Sequence, residues 1–293
     1  MRIHAIQTGT VAIKTRQLSG RGRGALRPIN TLLDTTWTEP LPIYAWVIEH
    51  PEGLIVVDTG ETARVGEPGY FPWWHPYFKL GVREWVRPEE EIGPQLHALG
   101  FAPADVRWVL LTHFHTDHAG GLPHFPTSEI LVSRTEYQAA YGFRGQMRGY
   151  LPQHWPTWFK PHLIDFAPQP FGPFPGSYSL TSAGDVNLVP TPGHTFGHYS
   201  VIVQEDELAI FFAADTSYTQ QLLFDDAVDG VTLDVAHYQQ TSQRIRTYLQ
   251  SVPTIYLPSH DPESAQRLAT RSVTLPVNAS GEREQSTERG VDL

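Results

Sequence analysis

Apolar residues along this chain come in short runs closed by turn residues. Residues 44–50 (YAWVIEH), 53–60 (GLIVVDTG), 107–113 (RWVLLTH) and 129–134 (EILVSR) are rich in β-branched or large apolar side chains. Each reads as a strand. The same pattern predicts strands over 186–191 (VNLVPT), 198–204 (HYSVIVQ), 208–215 (LAIFFAAD) and 254–260 (TIYLPSH). The opening residues 1–14 read as a further strand leading into a turn. Helical spacing falls between these runs. Residues 88–100 carry acidic side chains early and stop at Gly100. Residues 133–142 have the outline of a capping box, with Ser133 as cap and Glu136 three positions on. Residues 232–251 form the longest helical pattern. Strands alternating with helices predict an α/β fold whose sheets are covered by helices.

Two segments break the periodicity, 66–88 (GEPGYFPWWHPYFKLGVREWVRP) and 142–176, both rich in aromatic residues and proline. Their length predicts functional or lid loops rather than plain connections. From Val277 the sequence turns polar, and residues 277–293 are expected to be a disordered tail. Residues 1–270 then form one domain.

Composition narrows the chemistry. The 293 residues, 40% apolar and 18% charged, suffice for a large core. A formal net charge of -10 argues against a nucleic-acid partner, which favours a basic face. No run approaches the ~20 apolar residues that span a bilayer, and the start lacks a signal-like apolar stretch. The expectation is a cytoplasmic chain with no membrane partner. There are no cysteines, which excludes disulfides, thiolate zinc sites and a cysteine nucleophile. Any metal has to be held by nitrogen and oxygen.

Residues 110–121, LLTHFHTDHAGG, place three of the 14 histidines and an aspartate within six positions, directly after an apolar run. A lone histidine is more often a solvated loop group. This density is different, because burying unpaired ionisable side chains is costly. At an extended strand end His113 and His115 point the same way. Asp117 and His118 follow once the chain turns. Four ligand-type residues exceed what one tetrahedral ion takes while keeping an open catalytic position, so two ions are expected. Later apolar runs or turns end in His194, Asp215 and His260, and strand ends facing one crevice are the usual place for an α/β site.

In type, order and spacing these seven residues resemble the metallo-β-lactamase superfamily. Within it the chain is similar to the N-acyl-homoserine lactonases, the quorum-quenching branch. The likeness rests on THFHTDHAGG, VSRTEYQAA, TPGHTFGH, DTSYTQ and SHD, spread over residues 40–265. The resemblance implies an αββα sandwich. It implies one ion on His113, His115 and His194, a second on Asp117, His118 and His260, and Asp215 bridging both. The ions would be zinc, with cobalt, manganese or iron also suited to an all-nitrogen and oxygen set. The implied reaction is opening of an acyl lactone ring by a metal-bridging hydroxide, available because the ions lower the pKa of water towards ~7. A homodimer is compatible with the aromatic loops.

The resemblance also assigns roles around the ions. Tyr218, three residues after Asp215, would donate its hydroxyl to the substrate carbonyl. Asp117 would move a proton to the departing oxygen. Asp58 and His198 are expected to support the ligands from behind. Trp73, Trp74, Phe78, Trp85, Trp155, Trp158 and Phe159 are candidate walls for an acyl chain. Thr116 departs from the family, many of whose members carry phenylalanine there beside the substrate, so chain-length preference does not carry over. The alternative reading is another hydrolase of the same superfamily, acting on a different lactone, an ester or a thioester. A diiron redox protein fits less well, since such relatives usually place a carboxylate where His115 stands.

Overall fold

Alternation within each strand decides which layer a side chain joins. The computed structural model describes residues 1–274 other than Leu233, so the tail from 277 lies outside the described residues. Strands β1 (Arg2–Ile13), β2 (Leu41–His50), β3 (Gly53–Val57), β4 (Val82–Trp85), β5 (Val106–Leu111), β6 (Glu129–Ser133) and β7 (His162–Ile164) form one sheet. Its order is β4-β1-β2-β3-β5-β6-β7. Pairing is antiparallel from β4 to β3 and parallel from β3 to β7. Strands β8 (Tyr178–Ser179), β9 (Val186–Pro190), β10 (Tyr199–Glu205), β11 (Leu208–Ala214) and β12 (Thr254–Pro258) form the second sheet, ordered β12-β11-β10-β9-β8. Only β11 and β12 run parallel in it.

Ile55 and Val57 of β3 join Trp46 and Ile48 of β2 between the sheets, against Phe212 and Ile255. The intervening Val56 and Val47 face the other way, onto Ile92 and Leu96 of the helix Ile92–Ala98. On the second sheet Phe211 and Tyr256 turn outward onto Ile245, Tyr248 and Leu249 of the helix Val235–Ser251. The layers are therefore helix, sheet, sheet, helix. Covering both faces of each sheet is what makes the strands read as near-continuous apolar runs. Truncating Phe212 to alanine in the middle layer would cost about 3–5 kcal/mol.

Several expected elements change shape. Residues 88–100 divide into a 3-10 turn, Pro88–Glu90, and the helix Ile92–Ala98. The Glu91 carboxylate between them accepts from the Thr62 hydroxyl and the Ala63 N–H. Ser133 makes no side-chain cap. Residues 66–88 are not one loop. They hold a short helix, Pro76–Leu80, and β4, which pairs with β1. Residues 142–176 likewise contain the helix Gly142–Gln146 and β7. In both segments pairing to a sheet edge supplies order that local periodicity did not announce.

Candidate metal centre

Every ligand-type residue follows a strand. His113 and His115 leave the end of β5, and the short helix Thr116–Ala119 carries Asp117 and His118. His194 lies in the turn after β9, Asp215 follows β11 directly, and His260 lies two residues beyond β12. The geometry differs from simple strand alternation at His113 and His115, since β5 stops at Leu111 and a loop makes the two rings converge. Their Nε2 and Nδ1 atoms are 3.1 Å apart, with the rings nearly perpendicular at 83°. Ala214, with φ of 46°, closes a register shift in β11 that re-aims Asp215.

Two groups of donor atoms result: His113, His115, His194 and Asp215, then Asp117, His118 and His260. Asp215 faces both. Its Oδ2 is 3.3 Å from His194 Nε2 and 3.9 Å from His113 Nε2, while its Oδ1 is 3.2 Å from His118 Nε2 and 3.4 Å from His260 Nε2. Asp117 Oδ2 stands 3.3 Å from His260 Nε2. Tetrahedral bonds of ~2.0–2.1 Å require donors about 3.3 Å apart, so the spacing fits a divalent ion in each group. His118 Nε2 and Asp215 Oδ1 are also buried without a hydrogen bond, as donors kept for a metal would be.

The outward ring nitrogens are anchored. His118 Nδ1 meets Asp58 at 2.9 Å, His194 Nδ1 meets Asp229 at 2.5 Å, and His260 Nδ1 donates to the Pro42 carbonyl at 2.9 Å. These partners leave each Nε2 lone pair facing inward. Asp58, with φ of 56°, also accepts from the Thr112 N–H and hydroxyl, tying β3 to the ligand loop. His198 accepts the Asp215 N–H at 3.3 Å and holds Thr191 through its other nitrogen. Burial, then the neighbouring imidazoles, keep His113 well below the usual histidine range and bring His115 down to about 3. Against the opposing effect of burial, His118 and His260 hold Asp215 ionised.

A cavity of about 610 Å³ opens over these atoms, a size suited to a small organic molecule. Tyr218, Thr116 and Phe78 line it, together with Val11, Ile13, Tyr77, Val82 and Met147. The other expected walls lie elsewhere. Trp73 is 86% and Trp85 50% exposed, and Trp74 and Trp158 also reach solvent. Trp155 and Phe159 pack on Phe114, behind the ligand loop. Thr116 is buried close to Glu61, a buried carboxyl that burial pushes up to about 7 and whose Oε1 accepts from the Thr62 N–H and the Tyr70 hydroxyl.

Sequence reasoning missed several contributors. Glu136 turns inward rather than capping its helix: its carboxylate accepts from the Phe114 N–H, the Thr195 hydroxyl and the Gly197 N–H. It thereby joins the two loops that carry His113, His115 and His194. Asp229, Gln17 and Tyr77 were also unmarked. Two of them had a signal: Glu136 lies in the motif VSRTEYQAA, and Tyr77 in the aromatic segment 66–88.

An αββα sandwich with two facing groups of nitrogen and oxygen donors at its strand ends defines a class. Residues 38–260 match the metallo-beta-lactamase superfamily, and the chain belongs to it. It is 27% identical over 274 residues to the N-acyl homoserine lactonase AttM of Agrobacterium fabrum, covering 90% of this chain and 94% of that one. To the N-acyl homoserine lactonase AiiA of Bacillus thuringiensis subsp. kurstaki it is 28% identical over 225 residues, covering 76% and 82%. A solved N-acyl homoserine lactone hydrolase, with the product N-hexanoyl-L-homoserine at its catalytic metal center, shares the fold at a TM-score of 0.72 and 23% identity, covering 90% and 94%. AidC, a dizinc quorum-quenching lactonase, does so at 0.61 and 18%, covering 89% and 87%.

Proposed function

We propose that this protein is a metal-dependent hydrolase that opens the lactone ring of N-acyl-homoserine lactones. One observation carries the reading: Tyr218 lines the same cavity as the two donor groups. Its likeness to relatives named for that activity supports the substrate class. His113, His115 and His194 would hold one divalent ion, Asp117, His118 and His260 a second, with Asp215 shared; zinc is the proposed metal. When bound, such ions supply Lewis acidity and make water nucleophilic at neutral pH.

The chain's own residues do the rest. The Tyr218 phenol, pushed well above its usual range by burial, stays protonated and donates to the carbonyl oxygen as charge grows there. Asp117, an ionised carboxylate beside His260, would take a proton from the attacking water and pass it to the ring oxygen as it leaves. Val11, Ile13, Phe78 and Val82 give the acyl chain an apolar wall. Residues 1–270 act as one hydrolase domain. Among the described residues no helix is long and apolar enough to cross a membrane.

A pH-stat assay of zinc-loaded protein tests the proposal, using short- and long-chain acyl-homoserine lactones beside an ester, a thioester and a phosphodiester. Acid release with the lactones above all others is expected. Release confined to another class would reassign the substrate, and none from the lactones would end the lactonase reading.

A further inference from the structure

Two phenol oxygens, those of Tyr77 and Tyr218, lie 2.8 and 2.7 Å from a single atom, Gln17 Nε2. Gln17 belongs to the short helix Thr15–Leu18, ahead of the residues that match the superfamily. It is buried, and all three side chains line the cavity over the donor groups.

An amide nitrogen carries two N–H groups and accepts nothing. Each phenol oxygen therefore accepts from Gln17, and each phenol proton has to point elsewhere. Among the described residues neither hydroxyl has a second hydrogen-bond partner. The cavity is the open direction. Turning the amide over would place its oxygen between the phenols and tie up both protons. It would also put two N–H groups where Gln17 Oε1 now lies buried and unpartnered. Two orphaned donors cost more than one orphaned acceptor, so the donating orientation is preferred.

We propose that Gln17 is a positioning residue that turns the hydroxyl protons of Tyr77 and Tyr218 into the cavity, making a paired donor site for two carbonyl oxygens. The inference rests on the lactonase reading, because an acyl-homoserine lactone brings two carbonyls a few bonds apart. Tyr218, whose ring lies 5.7 Å from that of His260, addresses the ester carbonyl at the metal side. Tyr77, packed with Phe78 and Val82, meets the acyl amide.

Gln17→Met keeps the length of the side chain and removes both donors; Gln17→Glu keeps its shape and supplies acceptors instead. With zinc-loaded protein, Gln17→Met is expected to lower kcat by roughly 3- to 10-fold, and Gln17→Glu by more. In a Tyr218→Phe background the Gln17→Met effect should shrink below about twofold, as coupling through Tyr218 requires. An equal loss in both backgrounds overturns the proposal. A second measurement needs no turnover: in protein labelled at tyrosine Cζ, Gln17→Met should shift two resonances, those missing from Tyr77→Phe and Tyr218→Phe. Unmoved resonances also overturn it. Tyr77→Phe keeps Gln17 in place and covers the case in which Gln17 variants do not fold. It should raise KM for an acyl-homoserine lactone and leave KM for unacylated γ-butyrolactone unchanged; equal effects on both refute the amide contact. If the natural-sequence enzyme opens no acyl-homoserine lactone, the lactonase reading fails, and the resonance experiment still decides the role of Gln17.

Discussion

Tyr218→Phe removes one oxygen and leaves an aromatic ring beside His260. Because that oxygen faces charge that grows during the reaction, kcat is expected to fall about 100-fold with little change in KM, as steady-state kinetics would show. A matching fall in kcat and rise in KM would instead mean that Tyr218 holds the ground state. Asp58→Asn acts at one remove. It weakens the carboxylate–imidazole contact behind His118, so affinity at the Asp117, His118 and His260 group should drop about 10- to 100-fold, read by titration against a competing chelator. The seven donor residues were legible because metal chemistry accepts few side-chain types and strand ends gather them. Asp229 and Gln17 were not. A carboxylate behind a histidine, or an amide between two phenols, has no sequence spacing of its own, since its partners come from remote segments.

At the scale of elements the centre depends on how loops are tied. Glu136 reaches from the helix after β6 to both ligand loops, and burial raises its carboxyl above the usual range despite the bonds from Thr195, Gly197 and Phe114. Glu136→Ala leaves two buried N–H groups orphaned, so a loss of about 2–4 kcal/mol is expected in denaturant unfolding, with metal released at lower chelator concentration. The strands were legible, because apolar residues on both faces of a covered sheet give unbroken runs such as LIVV in β3. The aromatic segments were not. Tryptophans cluster in them, yet Trp73 and Trp85 face solvent, while the cavity wall comes from Val11 and Ile13 in β1 and Val82 in β4. Walls assembled from sheet edges depend on pairing, and pairing between β1 and β4 leaves no local trace.

For the molecule as a whole, the donor groups join segments from both sheets, so metal should act on global stability. Removing the ions with a chelator is expected to abolish turnover and lower Tm, since ligand at a hundredfold excess over its Kd adds about 2.7 kcal/mol per site; calorimetry checks this. Acidity enters through Glu61. Its folded pKa, raised by burial from 4.5 to about 7, means the folded state holds the proton more tightly than the unfolded chain. The stabilisation is complete below pH 4.5 and is lost as pH rises through 7, by a few kcal/mol at roughly 1.4 kcal/mol per unit. Glu61→Gln should flatten that decline, seen by comparing denaturation midpoints at pH 5 and pH 7.5 for both proteins. The order of the ligands along the chain has a consequence for biosynthesis. A nascent polypeptide displays His113, His115, Asp117 and His118 long before His194, Asp215 and His260 have been translated, so neither donor group is complete until nearly all of the domain has emerged. On the proposed function, metal loading would be a late event, and an early capture by the first four residues would be loose and reversible.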